Sequence, residues 1–264
     1  MTGVIRTGVG GWIHPPWRDV FFPTGLRQAD ELAYASRNLG VIEINVTYHG
    51  FQKPETFARW AAQTPEDFLF TVKASRLCTN RRSLADAGEW VTRFLGQGLT
   101  RLGDRLGPIL WQFMPNKTFD ATDFAAFLAM LPTTLDGQTL RHCVEVRHAS
   151  FADPAFVDLC AAHGVAICLV DSPDYPMIDA VTADFTYARL MRGEDDIDTG
   201  YPADQLDIWA RRLGACAWPG VAGRGRDVLA LFINTGKLRA PAAACVLAAR
   251  LETLAASKTL AATR

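Results

Sequence analysis

The sequence predicts an α/β fold, a single (β/α)8 barrel of the TIM type, on three observations. Eight short apolar runs alternate with amphipathic stretches along the chain, and strands alternating with helices imply βαβ units and a parallel sheet. The length of 264 residues, 49% hydrophobic and 21% charged, suits one large α/β domain. Polar and charged residues crowd the later half of strand after strand, the end at which such barrels carry their sites.

Taken in order, strands are expected at Thr7–Gly11, Val41–Thr47, Leu69–Ser75, Pro108–Phe113, His142–His148, Ala166–Asp171, Phe185–Met191 and Val228–Asn234. Helices are expected between them. Gln28–Leu39 sets Leu32, Ala35 and Leu39 on one face and stops at Gly40, a good residue to end a helix. Glu55–Gln63 carries Phe57, Trp60 and Ala61, and Glu89–Leu106 is bent around Gly96 and Gly98. Asp123–Leu131, Asp153–His163, Ala203–Leu213 and Ala242–Leu254 complete the set. Between Asp171 and Phe185, strands six and seven, two prolines leave no room for a full helix, so that crossover is expected to be short and helix-poor. No linker or repeat divides residues 1–264, which are expected to form one domain. A doubly wound open sheet is the alternative.

A net charge of −1 creates no global field favouring nucleic acid or an anionic membrane. The six cysteines include no C-x-x-C pair, and several sit in apolar runs, such as Cys168 and Cys245, as reduced core thiols would. The start of the chain lacks a signal-peptide layout, and no uncharged apolar stretch reaches the roughly 20 residues that span a bilayer. A cytoplasmic protein without membrane contact is the expectation.

Strand side chains alternate between two faces. In Val41–Thr47, Ile42, Ile44 and Val46 oppose Glu43, Asn45 and Thr47; in Leu69–Ser75, Phe70, Val72 and Ala74 oppose Thr71, Lys73 and Ser75. Val144 and Val146 oppose Glu145 and Arg147, while Leu229, Leu231 and Ile233 oppose Phe232 and Asn234. With the aliphatic face under the helices, the axis receives the polar one. Gln112, Asp171, Tyr187 and Arg189 fit the same register. Glu43, Glu145 and Asp171 would then meet Lys73, Arg147 and Arg189 on one axis. Unpaired, such charges cost several kcal/mol each to bury. The plain reading is a structural salt-bridge network; the functional one is a site.

These segments resemble the YecE-like family of barrel proteins, a domain-of-unknown-function family. The match is carried by GVGGWIHPPWRDVFFP (Gly8–Pro23), the run Val41–Ser75, LGPILWQFMPN (Leu106–Asn116), EVRHASF (Glu145–Phe151), DSP at Asp171–Pro173 and TADFTYARLMRG (Thr182–Gly193). The resemblance implies a (β/α)8 barrel and no established activity. Against the family pattern, Phe151 stands where a Trp is usual, Leu190-Met191-Arg192 replaces an aromatic-His pair after Arg189, and Ile233-Asn234 replaces a paired asparagine.

Two differently tuned carboxylates can serve proton transfer or glycoside hydrolysis, which makes Glu43, Glu145 and Asp171 the catalytic candidates. Guanidinium groups fork onto phosphate or carboxylate. Lys73, Arg147 and Arg189 therefore suggest an anionic substrate, held also by Trp12, Asn45, Tyr48, Gln112, His148 and Asn234. The bland alternatives are that each cation neutralises an acid, and that Trp12 and Trp17 merely close the barrel mouth. No cofactor is expected. A divalent metal on Glu43, His49, Glu145, His148 and Asp171 ranks low, because no H-E-x-x-H or multi-histidine cluster exists among five histidines. The leading expectation is an enzyme of hydrolase or lyase type, using general acid/base chemistry on a small anionic molecule. A metal-dependent phosphodiesterase or nuclease, a glycosidase-like hydrolase and a non-catalytic ligand-binding barrel are the alternatives. Nucleic acid is a less favoured partner than a small molecule, and the oligomeric state is left open.

Overall fold

The computed structural model describes residues 3–218, 225–233 and 236–262. Nine parallel strand segments share one sheet: β1 (Ile5–Gly10), β2 (Val41–Ile44), β3 (Leu69–Lys73), β4 (Leu106–Gln112), β5 (His142–Glu145), β6 (Ala166–Ile167), β7 (Leu169–Asp171), β8 (Phe185–Leu190) and β9 (Asp227–Phe232). Their spatial order is β6-β5-β4-β3-β2-β1-β9-β8-β7. The two ends of that order are separated in sequence by Cys168 alone. One segment pairs with β5 and the other with β8, so the sheet forms a nearly closed barrel.

Helices α1 (Glu31–Asn38), α2 (Pro54–Ala62), α3 (Gly88–Leu95), α4 (Ala121–Leu128), α5 (Pro154–Ala162), α6 (Ala203–Ala217) and α7 (Ala240–Ala262) surround it. The bend expected near Gly98 is real: this residue takes a φ of 101°, and a tight-turned stretch, Leu99–Arg105, follows. No helix forms between Asp171 and Phe185.

Polar side chains cut three strands short. β2 stops at Ile44 rather than Thr47 because Val46–His49 makes one helical turn, in which the Thr47 hydroxyl donates to the carbonyls of Ile44 (3.1 Å) and Lys73 (2.7 Å). After Lys73, Ser75 caps the turn Arg76–Thr79. After Glu145, His148 caps Ala149–Phe151. Ser, Thr and similar side chains compete in this way with the strand ladder.

Two apolar clusters follow the alternation. The outer one joins Ile42, Ile44, Phe70, Val72, Ile109, Trp111 and Val144 to the helices. The inner one fills the barrel with Val41, Leu110, Cys143, Cys168, Val170, Phe185, Tyr187, Leu229 and Leu231. The last strand is therefore the reverse of the expectation. Leu229, Leu231 and Ile233 point to the axis, whereas Phe232 lies outside, edge-on to Tyr201 at 5.1 Å. An apolar face does not by itself say inside or outside when both sides of a strand are covered. Among the cysteines, Cys78, Cys143, Cys160 and Cys168 are buried, but Cys245 is exposed on α7, contrary to its apolar setting in sequence.

Candidate functional site

The register sets the levels of the site. Glu43 on β2 lies beside Thr71 on β3, Gln112 on β4 beside Glu145 on β5, and Arg189 on β8 beside Leu231. Gly10 on β1 keeps this level open, since a Cβ there would come within 2.9 Å of the Asn45 amide nitrogen and 3.2 Å of Ile233.

At the centre Arg189 spans the barrel, 1% exposed. Its two terminal nitrogens reach different acids, one donating to Glu43 Oε1 at 3.0 Å and the other to Glu145 Oε2. Each acid has further partners. The Tyr187 hydroxyl donates to Glu43 Oε2 at 2.8 Å and shares a second 2.8 Å hydrogen bond with Thr71. Glu145 Oε1 accepts from Gln112 at 2.9 Å and from Arg147 Nε at 2.7 Å. Arg147 also stacks on the Tyr175 ring at 4.4 Å. Burial alone would raise the Glu145 carboxyl, but the guanidinium groups of Arg189 and Arg147 outweigh it and hold the group below its ordinary value. Burial likewise raises Tyr187, reinforced by Glu43. The network holds Glu43, Glu145, Arg147 and Arg189 together, as the alternation suggested.

Above this network a cavity of about 790 Å³ opens at the C-terminal ends of the strands. Trp12, Asn45, Tyr48, Lys73 and Arg189 line it, as do Gln52, Thr56, Arg59, Trp60 and Lys237. No Asp or Glu belongs to the lining among the described residues. Trp12 packs edge-on against Trp60 at 5.2 Å. The Lys73 ammonium lies 4.4 Å from the centre of the Tyr48 ring. Burial lowers the Lys73 amine to about 8, aided by Arg189 and only partly offset by Glu43 and Glu145.

Not every expected residue reaches this place. Asp171 does not join the axis: Val170 already faces inward, so alternation turns Asp171 outward. There its carboxylate accepts from Arg192 Nε at 2.7 Å and from the α6 indole of Trp209 at 3.1 Å. His148 is absorbed in its turn, its Nδ1 accepting from Ser150 N at 3.2 Å. Gln112 sits behind the cavity on Glu145. Trp17, by contrast, does line the cavity, buried, with its indole donating to the Lys237 carbonyl at 2.7 Å. Asn234 lies outside the described residues. Arg59 and Lys237 were not foreseen from sequence. Thr56, Arg59 and Trp60 recur at i, i+3 and i+4 on α2, a spacing that marks one helix face, and Lys237 follows the last strand, where barrel sites gather. Among the described residues no group of three or more His, Cys, Asp or Glu side chains is placed to hold a metal ion. No helix among them is long and apolar enough to cross a membrane.

Barrel and mouth define a TIM-like protein with its candidate site on the usual face. The family model "Protein of unknown function DUF72" matches residues 6–263, and the chain belongs to that family. The UPF0759 protein YecE of Escherichia coli K12 is 31% identical over 148 residues, covering 56% of this chain and 50% of that protein. The match thus spans about half the length of this curated relative. Two solved structures share the fold. A DUF72 family protein from Thermotoga maritima MSB8 has a TM-score of 0.71 at 20% identity, covering 95% of this chain and 98% of that one. Another, from Enterococcus faecalis V583, has a TM-score of 0.69 at 17% identity, covering 96% and 97%.

Proposed function

We propose that the barrel mouth is an enzyme site for a small molecule bearing a phosphate or carboxylate, with Lys73 as its acid/base group. One observation carries this reading: the cavity is lined by Lys73, Arg59 and Lys237 with no carboxylate among its described lining residues, while both axial acids are spent on Arg189 behind it. An anion entering there meets cations that lack an ion-pair partner among the described residues. A group tuned near the working pH transfers protons best, and Lys73, lowered to about 8, has that property. Glu43 and Glu145 become the frame that fixes Arg189, and no resident cofactor or metal is invoked. A sugar hydrolase would require two acids facing the substrate, and here they face the guanidinium between them.

The test is a thermal-shift and calorimetric screen of small phosphorylated and carboxylated compounds against their neutral analogues. Anionic compounds are expected to raise the melting temperature of the wild type and to lose that effect in Lys73→Met. A wild type that responds to none of them, or equally to the neutral analogues, overturns the reading.

A further inference from the structure

Lys73 differs from the other lysines of the chain. Of the four whose side chains are described, Lys53, Lys73, Lys117 and Lys237, two line the cavity. Lys237 is exposed at the rim, whereas Lys73 lies deep, at the end of β3 and on the floor. Lys117 is tied to Asp123 at 2.7 Å and to the Arg82 carbonyl at 2.8 Å. The Lys73 ammonium has no hydrogen-bond or ion-pair partner among the described residues and rests against the face of Tyr48. Such an arrangement keeps a primary amine close to a ligand-sized space, with no carboxylate bonded to it. A lysine desolvated beside another cation is the usual form of an amine nucleophile.

We infer that Lys73 is a covalent nucleophile, forming an imine with the carbonyl carbon of an anionic aldehyde or ketone bound in the cavity. This rests on the anion-site reading above and deepens it. In the step, the Nζ lone pair adds to the carbonyl carbon and the carbon–oxygen bond breaks. Both amine protons leave with that oxygen as water, and a C=N bond remains; no oxidant or reductant is consumed. The oxygen and the anionic group would be met by Arg59 and Lys237 at the rim, and a planar ligand would lie against Trp12. The reactive form is available at neutral pH. With the amine lowered to about 8, about one molecule in ten carries it uncharged at pH 7, against about one in three thousand for an ordinary lysine.

The probe is pyridoxal 5′-phosphate, a phosphate-bearing aromatic aldehyde, set against pyridoxine 5′-phosphate, the alcohol that cannot form an imine. The full chain is incubated with the aldehyde at pH 7, reduced with borohydride, digested and mapped by mass spectrometry. One adduct on the Lys73 peptide is expected, forming about 300-fold faster than on an ordinary exposed lysine, the ratio of the two uncharged fractions. It should be lost in Lys73→Arg and kept in Lys53→Arg, whose residue lies outside the cavity. The wild-type map decides the matter even should Lys73→Arg fold poorly. If the alcohol raises the melting temperature but the aldehyde is fixed on Lys237, or nowhere, the nucleophile is wrong and the anion site stands. If neither compound binds, both readings fall.

Discussion

Two layers of charge lie on one axis in this barrel and differ in how they are answered. In the lower layer Arg189 holds Glu43 and Glu145, and those acids also bind Tyr187, Gln112 and Arg147. The one exception is Arg189 Nε, buried without a hydrogen-bond partner. In the upper layer Lys73, Arg59 and Lys237 face open space with no acid in the lining among the described residues. A buried pair spends much of its Coulomb energy on desolvation, and its charges, bonded to one another, are not free to answer a ligand. Unanswered charge beside a cavity costs the fold something and persists where a site needs it. On the proposed reading the lower layer is scaffold and the upper one the place of chemistry.

The largest effect should come from breaking the lower layer. Glu145→Gln leaves Arg189 and Arg147 with a neutral partner in a buried setting, and is expected to cost roughly 3–5 kcal/mol in a urea melt. The same linkage appears in acid. Glu145 is held below its ordinary 4.5, so its contribution is complete above about pH 4.5 and is lost as falling pH protonates it. A melt of Glu145→Gln within about 1 kcal/mol of the wild type would erase the distinction between the layers.

The upper layer should behave in the opposite sense. Lys73→Met removes a charge that burial disfavours, so it is expected to raise stability at pH 7 by about 1–3 kcal/mol while abolishing anion binding. The sign follows from proton counts. With the folded amine at about 8 and the ordinary value at 10.5, the unfolded chain binds the extra proton between them. The wild type therefore gains stability as pH rises from 8 to 10.5, and the advantage of Lys73→Met should disappear over that interval. Urea melts at pH 7 and pH 10.5 read both numbers. A destabilised Lys73→Met at pH 7 would return Lys73 to the scaffold.

How far the sequence foretold this division depends on what alternation can carry. It placed Glu43, Lys73, Glu145 and Arg189 on one axis because each strand there has a single polar face, and period two leaves no choice. It fails on Asp171, because polarity alone does not mark the inner face and Val170 already occupies it. It fails again on Leu229 and Leu231, since a strand under helices is apolar on both sides. The helix-poor crossover was legible from its prolines. Which acid Arg189 would choose was not, because partner choice depends on side-chain reach across the barrel. Arg59 was hidden for a similar reason: it sits on a helix and meets the cavity only through the way α2 docks.

Asp171 supplies a third, smaller test, since its cluster lies outside the barrel wall. Asp171→Asn weakens charge-assisted hydrogen bonds to Arg192 and Trp209, of which Arg192 is half exposed and already shared with water. A loss of about 1–2 kcal/mol is expected, with anion affinity unchanged when titrated by calorimetry. A selective loss of affinity would extend the site through the wall and break the assignment of chemistry to the cavity alone.

The smallest effect is expected at His148. Its ring nitrogen accepts from the backbone of Ser150 at 3.2 Å and shares a 2.8 Å hydrogen bond with the Ser150 hydroxyl, closing the turn that follows β5. The turn matters because Phe151 is fully buried in it. Its ring packs edge-on against Phe156 at 5.1 Å and Phe124 at 5.6 Å. Phe151 therefore belongs to the outer core and not to the rim. His148→Ala removes a cap and leaves Phe151 in place, so it should cost about 0.5–1 kcal/mol. The measurement is a urea melt beside the same anion titration used for Lys73→Met. If His148 only holds its turn, the midpoint falls slightly and the affinity stays. If affinity falls tenfold while the melt barely moves, His148 reaches the ligand from beyond the cavity, and the upper layer is wider than the lining residues imply.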